Sequence, residues 1–386
     1  MRRIAASVVV LGCLGLYALP SATAGASPSS PGRYIVVLRD SVADPGAVSA
    51  AHGRAHQAQV SHVYRKALKG YAATIPADRV DDIRADSRVA YVEVDGTVSA
   101  VGKPGGGGGT TPPPAQTIPA GITTVGATVS STVAGNGTGA VNGHVWVIDT
   151  GVDAAHPDLN VVEFKNFAGG PNKDCNGHGT HVAGTVAAED DASHVVGVAP
   201  GASIHAIKVL GCSGSGSNSG VIAGIDWVTE HALPGAVANM SLGGGASQAI
   251  DEAVRASADA GVLYVLAAGN ANVDACTTSP ARAGAGTNNG IVTVGALSAP
   301  GTRASFSNFG SCVDIWAPGV NVLSTWPGAT TRALSGTSMA APHVAGGGAL
   351  LRSVSIGSGL SVSEAEEQLK DDAVAGTFPL LDVSGY

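Results

Sequence analysis

Three side chains that can together turn a hydroxyl into a nucleophile occur in this chain, each within two residues of a glycine. Asp149 follows the apolar run 145–148, and His178 lies between two glycines at the start of a helix-like segment. Ser338 stands in a glycine-containing turn that leads into an apolar segment. A serine attacks a carbonyl carbon when a histidine takes its proton and a carboxylate fixes that histidine. The order Asp, His, Ser is one of three known for such a triad, so the sequence predicts acyl transfer.

Each of these residues also has a structural interpretation. Pro342 lies early in the segment after Ser338, so the serine hydroxyl could simply cap a helix. Asp149 could form a turn. His181, three residues after His178, could complete a metal-binding pair, but the H-E-x-x-H pattern is missing and we expect it to belong to the helix.

The second part of the chain alternates apolar runs with helix-like segments. The runs cover residues 145–148, 203–210, 236–240, 262–266 and 291–294, and the helix-like segments cover 181–188, 218–231 and 246–260. This alternation predicts an α/β fold with helices on both faces of a parallel sheet. Sites in such folds gather at the carboxyl ends of strands. Asn270 falls at one of these ends, where it could close a turn or donate a hydrogen bond to an oxyanion.

The first part of the chain predicts a small α+β unit of about 70 residues. Strands are expected at 33–38, 71–75 and 89–94, and helices at 51–66 and 80–85. Five glycines and a threonine- and proline-rich stretch follow at 105–114, which is typical of a linker.

The N-terminus predicts export. Two arginines precede the apolar stretch 4–19, and an A-x-A pattern at 22–24 marks a cleavage site, so residues 1–24 are interpreted as a signal peptide. The stretch is short for a membrane anchor. Lipid attachment at Cys13 is the alternative, and it would leave a very short apolar region.

Four cysteines remain after signal removal, and in an exported chain they predict two disulfides. Three pairings are possible. We expect the sequential one, which closes the shortest loops and joins Cys175 to Cys212 and Cys276 to Cys312.

Charge is divided unevenly. Residues 28–101 hold nine basic and eight acidic side chains, whereas residues 102–386 hold ten basic and twenty-one acidic ones. An acidic body without a basic patch argues against nucleic-acid binding.

The residues around the three candidates resemble the signature motifs of the subtilisin-like serine peptidases. The matching stretches are Asp149-Thr-Gly, Asn176-Gly-His-Gly-Thr-His-Val-Ala-Gly184, Ser241-Leu-Gly-Gly-Gly245, Ala267-Ala-Gly-Asn270 and Gly336-Thr-Ser-Met-Ala-Ala-Pro342. The cysteine placement and the segment 305–310 are most similar to the proteinase K and aqualysin branch. The resemblance spans 120–386, and residues 33–94 are similar to the inhibitory propeptide of these enzymes.

The resemblance implies a subtilisin-like three-layer α/β domain with a mostly parallel central sheet, preceded by a small α+β propeptide domain. Ser338 would be the nucleophile, His178 the general base and acid, and Asp149 the residue that orients the imidazole. The Asn270 amide and the Ser338 backbone N–H would form the oxyanion hole.

A substrate peptide would lie as an added strand between two edges of the enzyme. The implied substrate-binding residues are Val209, Leu210, Gly211, Ser241, Leu242, Gly243, Gly244, Ala267 and Gly269. Small, uncharged walls at 243–245 and 267–269 favour a bulky apolar side chain in the main specificity pocket, with broad tolerance elsewhere.

The proteinase K branch also implies a structural calcium ion and no catalytic cofactor. Asp314 would bind calcium together with main-chain carbonyls around Asn289 and Ile291, since oxygen ligands suit this ion. The loop 281–290 is longer than the family pattern and lacks its proline. The alternative is a solvated aspartate in a turn.

The implied organisation is a self-processing zymogen. It comprises a propeptide at 25–101 that inhibits its own enzyme, a linker with the processing region at 102–118, and a peptidase domain at 119–386. The cut is expected between Val101 and Thr117. The product would be a secreted monomer that acts on protein substrates, with no membrane attachment after signal removal.

Three other functions are the alternatives. A catalytically inactive relative that binds peptides is disfavoured because all four catalytic positions are filled. An α/β-hydrolase would need a G-x-S-x-G motif and the order Ser, Asp, His. A non-catalytic cell-wall module would need an anchoring segment, and we expect none after Ser363.

Overall fold

The computed structural model describes residues 30–104, 115–286, 288–354 and 359–386. The predicted signal peptide, Cys13 included, and most of the predicted linker lie outside these ranges. No helix within them is long and apolar enough to cross a membrane.

The N-terminal unit is a four-stranded antiparallel sheet with two helices. Its elements are β1 (Gly32–Leu38), α1 (Pro45–His56), β2 (Gln59–Tyr64), β3 (Gly70–Ile75), α2 (Val80–Arg84) and β4 (Val89–Val94). The strand order is β2-β3-β1-β4. The unit has its own core, which includes Val36, Tyr71 and Ile83.

The helix predicted over 51–66 was wrong in its second half. Gln57 takes a left-handed conformation with φ of 58° and ends α1, which frees the residues after it to form the edge strand β2. Such a conformation cannot continue a right-handed helix.

The remaining elements follow in chain order. They are β5 (Thr97–Ala100), β6 (Lys103–Pro104), α3 (Ala120–Thr124), β7 (His144–Asp149), β8 (Val161–Asn166), α4 (His178–Ala187), β9 (Ser203–Lys208), β10 (Ser215–Ser217), α5 (Asn218–His231), β11 (Val237–Met240), β12 (Leu242–Gly245), α6 (Gln248–Asp259), β13 (Leu263–Ala267), β14 (Thr278–Ser279), β15 (Ile291–Ala299), β16 (Thr302–Arg303), β17 (Ile315–Pro318), β18 (Val322–Trp326), β19 (Thr330–Ser335), α7 (Thr337–Val354) and α8 (Val362–Asp371).

A mostly parallel sheet forms the centre of this larger unit, as predicted. Its order is β16-β15-β13-β11-β7-β9-β8, with β17 beside β15 and only β16 antiparallel. β9 and β8 lie on one side of β7, and the later strands β11, β13 and β15 lie on the other. β7 therefore marks the point where the strand order reverses. In open α/β sheets such a switch point is where sites form, at the carboxyl ends of the strands.

Both faces of the sheet are covered, which makes three layers. In β7, Val145 and Val147 face a core shared with α4 and α7, whereas Trp146 and Ile148 face a core shared with α5 and α6. Apolar side chains on both sides explain why the central strands are continuous apolar runs rather than alternating ones.

The segment after the N-terminal unit runs into two small sheets of the larger unit. β5 lies between β10 and β12, in the order β10-β5-β12-β14, and β6 pairs with β19. The chain therefore passes along the carboxyl-end side of the larger unit, where the candidate residues lie.

Candidate active site

Asp149 and His178 are brought together at the switch point. Asp149 is the last residue of β7 and His178 the first of α4, and His178 Nδ1 lies 2.8 Å and 2.9 Å from the two carboxylate oxygens. Burial alone would lower the pKa of His178. The Asp149 carboxylate outweighs it, so the pKa of the imidazole is raised above its usual value.

A second carboxylate shapes the loop that carries His178. Asp174 accepts five hydrogen bonds, from the backbone N–H groups of Asn176, Gly177 and Thr180 and from the hydroxyls of Thr150 and Thr180. It thus satisfies donors at the start of α4, which would otherwise lack partners. Asp174 stands two residues before the motif that begins at Asn176, and sequence reasoning missed its role.

Ser338 is the second residue of α7, and it is buried. Its hydroxyl donates to the Ser241 carbonyl at 2.9 Å, and the Ser241 hydroxyl donates to the Ser338 carbonyl at 3.0 Å. Within the described ranges, His178 Nε2 has no hydrogen-bond partner. The structure therefore contains the Asp149–His178 pair, while the serine hydroxyl is turned toward Ser241.

The side chain of Asn270 has a fixed orientation. Its Oδ1 accepts from the Thr337 N–H at 2.9 Å and from the Thr337 hydroxyl at 3.0 Å. Its Nδ2 then points the other way and donates to the carbonyl oxygen of Val101. The Thr337 hydroxyl in turn accepts from the Gly269 N–H. The amide is therefore held as a donor aimed at the chain that passes the site.

That chain is the segment leaving the N-terminal unit. β5 is antiparallel to both neighbours, and Val101 N donates to the Ser241 carbonyl at 3.3 Å. Gly102 comes next, and a Cβ built on it would lie 3.0 Å from His178 Nε2. A Cβ on Gly336 would overlap the Val101 carbonyl oxygen, so this position has no room for a side chain. The peptide bond after Val101 thus lies among the candidate residues.

One of the two predicted substrate edges does not pair with β5. The prediction named Val209, Leu210 and Gly211, but β5 pairs with β10, and Ala100 N donates to the Gly214 carbonyl. Val209 and Leu210 are buried, because the turn that carries β10 folds over them. On the other side, Leu242, Gly243 and Gly244 pair with Ala100, Ser99 and Val98; Ser241 contacts Val101 as described.

One of the predicted pocket residues, Gly243, lies near the Val101 side chain. A Cβ on Gly243 would be 4.0 Å from Val101 Cγ1. Ala267 ends β13 and is buried, and Gly269 has φ of 107° with Asn308 Nδ2 packed where its Cβ would stand. Asn308, which sequence reasoning missed, donates to the Ala268 carbonyl and so shapes this wall.

A buried lysine was also missed. Lys208 ends β9, and its ammonium donates to the Thr150 carbonyl at 2.6 Å and to the Leu210 carbonyl at 2.9 Å. Burial lowers its pKa. A lone lysine inside the apolar run 203–210 was the available signal, since an isolated charge in a buried strand needs partners.

The cysteines pair in sequence order. Cys175 is joined to Cys212, and Cys276 to Cys312. The first bridge ties the loop before His178 to the turn that leads into β10. It therefore connects the candidate base with one edge of the groove between β10 and β12 in which β5 lies.

His181 belongs to α4, as expected. Its ring Nε2 lies 3.0 Å from the Val322 carbonyl and 2.9 Å from the Arg332 carbonyl, so it donates to both. Burial lowers its pKa to about 3. In the ranges described, no group of three His, Cys, Asp or Glu side chains is arranged to hold a metal.

A lysine lies beside Asp314, one of the predicted calcium ligands. Asp314 Oδ2 accepts from the Thr293 N–H at 2.7 Å, and Lys370 Nζ lies 3.9 Å from Asp314 Oδ1. The N–H groups of Asn289 and Ile291 both point at Glu366 Oε2. Burial raises the pKa of Asp314 to about 7.

The N-terminal unit holds the larger unit through carboxylates at helix starts. Asp95 accepts from the Ser219 N–H and hydroxyl in α5, and Glu93 accepts from the Ser247 hydroxyl and the Ala249 N–H at α6. Helix N-termini offer unpaired N–H groups and favour negative charge.

In the other direction, a carboxylate of the larger unit holds the N-terminal unit. Asp226 of α5 accepts from three consecutive backbone N–H groups of the N-terminal unit, those of Arg65, Lys66 and Ala67. The Lys66 ammonium also lies 3.3 Å from Glu230. Acidic side chains thus bind the two units together from both sides.

Comparison with known proteins gives two family matches. The profile described as "Subtilase family" matches residues 142–382, and the one described as "Peptidase inhibitor I9" matches residues 33–100.

Named relatives cover most of the chain. The extracellular serine proteinase of Thermus sp. (strain Rt41A) is 41% identical over 83% of this chain and 80% of that protein. Subtilisin-like protease 7 of Trichophyton verrucosum is 37% identical over 89% of this chain and 87% of its own. A crystal structure of a cold adapted subtilisin-like serine proteinase has 42% identity and a TM-score of 0.55, covering 62% of this chain and 88% of the other.

Proposed function

The chain belongs to the subtilase family and is a serine endopeptidase with an I9 propeptide domain, and we propose that Asp149, His178 and Ser338 are its catalytic triad. The observation that carries this proposal is the position of the chain at Val101. Its carbonyl oxygen is bonded by Asn270, and the next residue borders the imidazole of His178.

The chemistry starts with the serine hydroxyl leaving the Ser241 carbonyl and turning to His178 Nε2. The imidazole takes the hydroxyl proton as Ser338 Oγ attacks the peptide carbonyl, and it then passes that proton to the leaving amine. Asp149 holds Nδ1–H toward itself, which leaves Nε2 free to act as the base and stabilises the imidazolium. Water then hydrolyses the acyl-enzyme by the same proton transfers in reverse. Such enzymes need no catalytic cofactor.

Asn270 and the Ser338 backbone N–H form the oxyanion hole. Negative charge develops on the carbonyl oxygen during attack, and donors that are already oriented stabilise it without reorganisation. Thr337 orients the Asn270 amide, and the start of α7 adds a favourable dipole.

Peptide substrates lie where β5 lies. They pair with Leu242–Gly245 on one side and with Ser215–Ser217 on the other, so main-chain hydrogen bonds supply affinity without regard to sequence. The walls of the main specificity pocket at Gly243, Ala267 and Gly269 are small and uncharged. They therefore favour an apolar residue before the cut, as Val101 is.

The chain is made as a zymogen that cuts itself between Val101 and Gly102. This narrows the processing region inferred from the sequence, 101–117, to its first peptide bond. The segment 25–101 then stays bound as an inhibitor, because β5 fills the substrate groove and the carboxylates of Glu93 and Asp95 remain on two helices. Secretion, the division into 25–101, 102–118 and 119–386, and a monomeric state stay predictions.

The test uses the chain from residue 25, with and without Ser338→Ala. We expect the parent to yield a product whose N-terminal sequence begins at Gly102 and to digest casein, while the variant stays whole and inert. A parent that is folded, whole and inert would instead support a catalytically inactive peptide-binding relative. Cutting in the Ser338→Ala chain would show that another residue or another protease is responsible.

A further inference from the structure

Three side-chain oxygens converge on the ammonium of Lys370 near the start of β15. Nζ lies 2.6 Å from Asn288 Oδ1, 3.1 Å from Glu366 Oε1 and 3.9 Å from Asp314 Oδ1. The oxygens come from the loop before β15, from α8 and from the residue before β17. An arrangement of this kind, with oxygens from separate elements facing one point, is what a cation needs.

Each carboxylate is fixed by backbone donors on its other oxygen. Glu366 Oε2 accepts the N–H groups of Asn289, Gly290 and Ile291 at 2.7, 2.8 and 3.3 Å. Asp314 Oδ2 accepts the Thr293 N–H. Their remaining oxygens are therefore held toward Lys370 whatever the lysine does.

The two carboxylates need a positive charge between them. Glu366 is fully buried and the side chain of Asp314 is 10% exposed, so their mutual repulsion is poorly screened by water. Lys370 supplies this charge from α8, the helix that also carries Glu366 four residues earlier. Its side chain is 27% exposed, so the ammonium enters from the surface.

Calcium and the ammonium exclude each other here. Calcium binds oxygens at 2.3–2.6 Å and takes six to eight of them, whereas Nζ already stands within hydrogen-bond distance of two of the three oxygens. The residues present therefore do not fit the calcium site that the family resemblance implies.

We propose that the Lys370 ammonium takes the place of calcium at Asp314, as a cation built into the chain. The link between α8, the loop before β15 and Asp314 then needs no metal. Removing the ammonium leaves an oxygen cluster of net negative charge that a divalent cation can enter.

The test counts bound calcium by titration calorimetry in the Ser338→Ala chain after treatment with a chelator. Lys370→Met removes the ammonium but keeps an apolar stem, and Lys173→Met is the matched control at an exposed site. We expect Lys370→Met to bind one calcium more than the parent and to melt several degrees higher with calcium than without. Lys173→Met should match the parent in both measurements.

A second variant decides the question if Lys370→Met does not fold. Asp314→Asn in the parent should leave the number of bound calcium ions unchanged, because calcium is not held there. The proposal is overturned if Asp314→Asn loses one calcium. It is also overturned if Lys370→Met folds, binds no additional calcium and melts alike with and without it.

Discussion

The carbonyl oxygen of Val101 accepts a hydrogen bond from the side-chain amide of Asn270. In the function proposed above, the uncut chain therefore holds its own peptide bond where a substrate would bind. Because Thr337 binds the amide oxygen, the donor cannot rotate away, and its loss should be felt in the reaction rather than in the fold.

Replacing Asn270 by Ala should slow self-cleavage after Val101 by about 10²–10³, the effect of one oxyanion donor measured in a related enzyme. The reaction is intramolecular, so its first-order rate reports chemistry without a binding step. Asn172→Ala, on the exposed surface, is the control and should cleave at the parental rate. Equal cleavage rates in the two variants would contradict the assignment of Asn270 to the oxyanion hole.

The pH dependence of hydrolysis should follow His178. The imidazole must be neutral to accept a proton, and Asp149 raises its pKa, so kcat/KM should fall as the pH drops through a value above 6.5. Asp149→Asn should move this fall to lower pH and lower kcat by about 10⁴. A pH profile that is the same in both enzymes would contradict the pairing.

The Asp149–His178 pair should make stability depend on pH in the opposite direction to activity. A raised folded-state pKa means that protonated His178 stabilises the fold below pH 6.5, and that this contribution is lost as pH rises through the raised value. Thermal unfolding of Ser338→Ala at several pH values should show this loss. The Ser338→Ala chain that also carries Asp149→Asn should lack it.

The two disulfides offer a matched comparison. They span 37 and 36 residues, so removing either by Cys→Ser pairs should cost about 3–4 kcal/mol of unfolding free energy. Only loss of the Cys175–Cys212 bridge should also raise KM for peptides, since it ties the His178 loop to the β10 edge. Thermal melting and peptide kinetics measure the two effects, and equal KM values would refute the difference.

The helix-capping carboxylates of the propeptide should govern its release. Replacing Glu93 or Asp95 by Ala removes a cap worth about 1 kcal/mol, which is roughly five-fold in affinity. The lag between self-cleavage and casein hydrolysis should shorten accordingly, and most in the double variant. Asp40→Ala, exposed on the same unit, should keep the parental lag.

Much of the fold was predictable because its signals are local. The central strands appear as apolar runs, and Asp149 and His178 appear within short glycine-containing motifs. What failed depended on distant packing. That Ser215–Ser217, and not the predicted edge at Val209, pair with β5 could not be seen, because it depends on how the turn before β10 folds. The proposed role of Lys370 could not be seen, since two of its three partners, Asn288 and Asp314, lie far away in the chain.

β5 is an inner strand, bonded along both sides, and the proposed cut lies just beyond its end. Cutting there breaks one covalent link but none of the hydrogen-bond ladders, so cleavage and release become separate events. The N-terminal unit has a core of its own, so after the proposed cut it can stay folded and keep β5 in the groove. The rate at which this small domain dissociates and unfolds would then set the delay between self-cleavage and full activity.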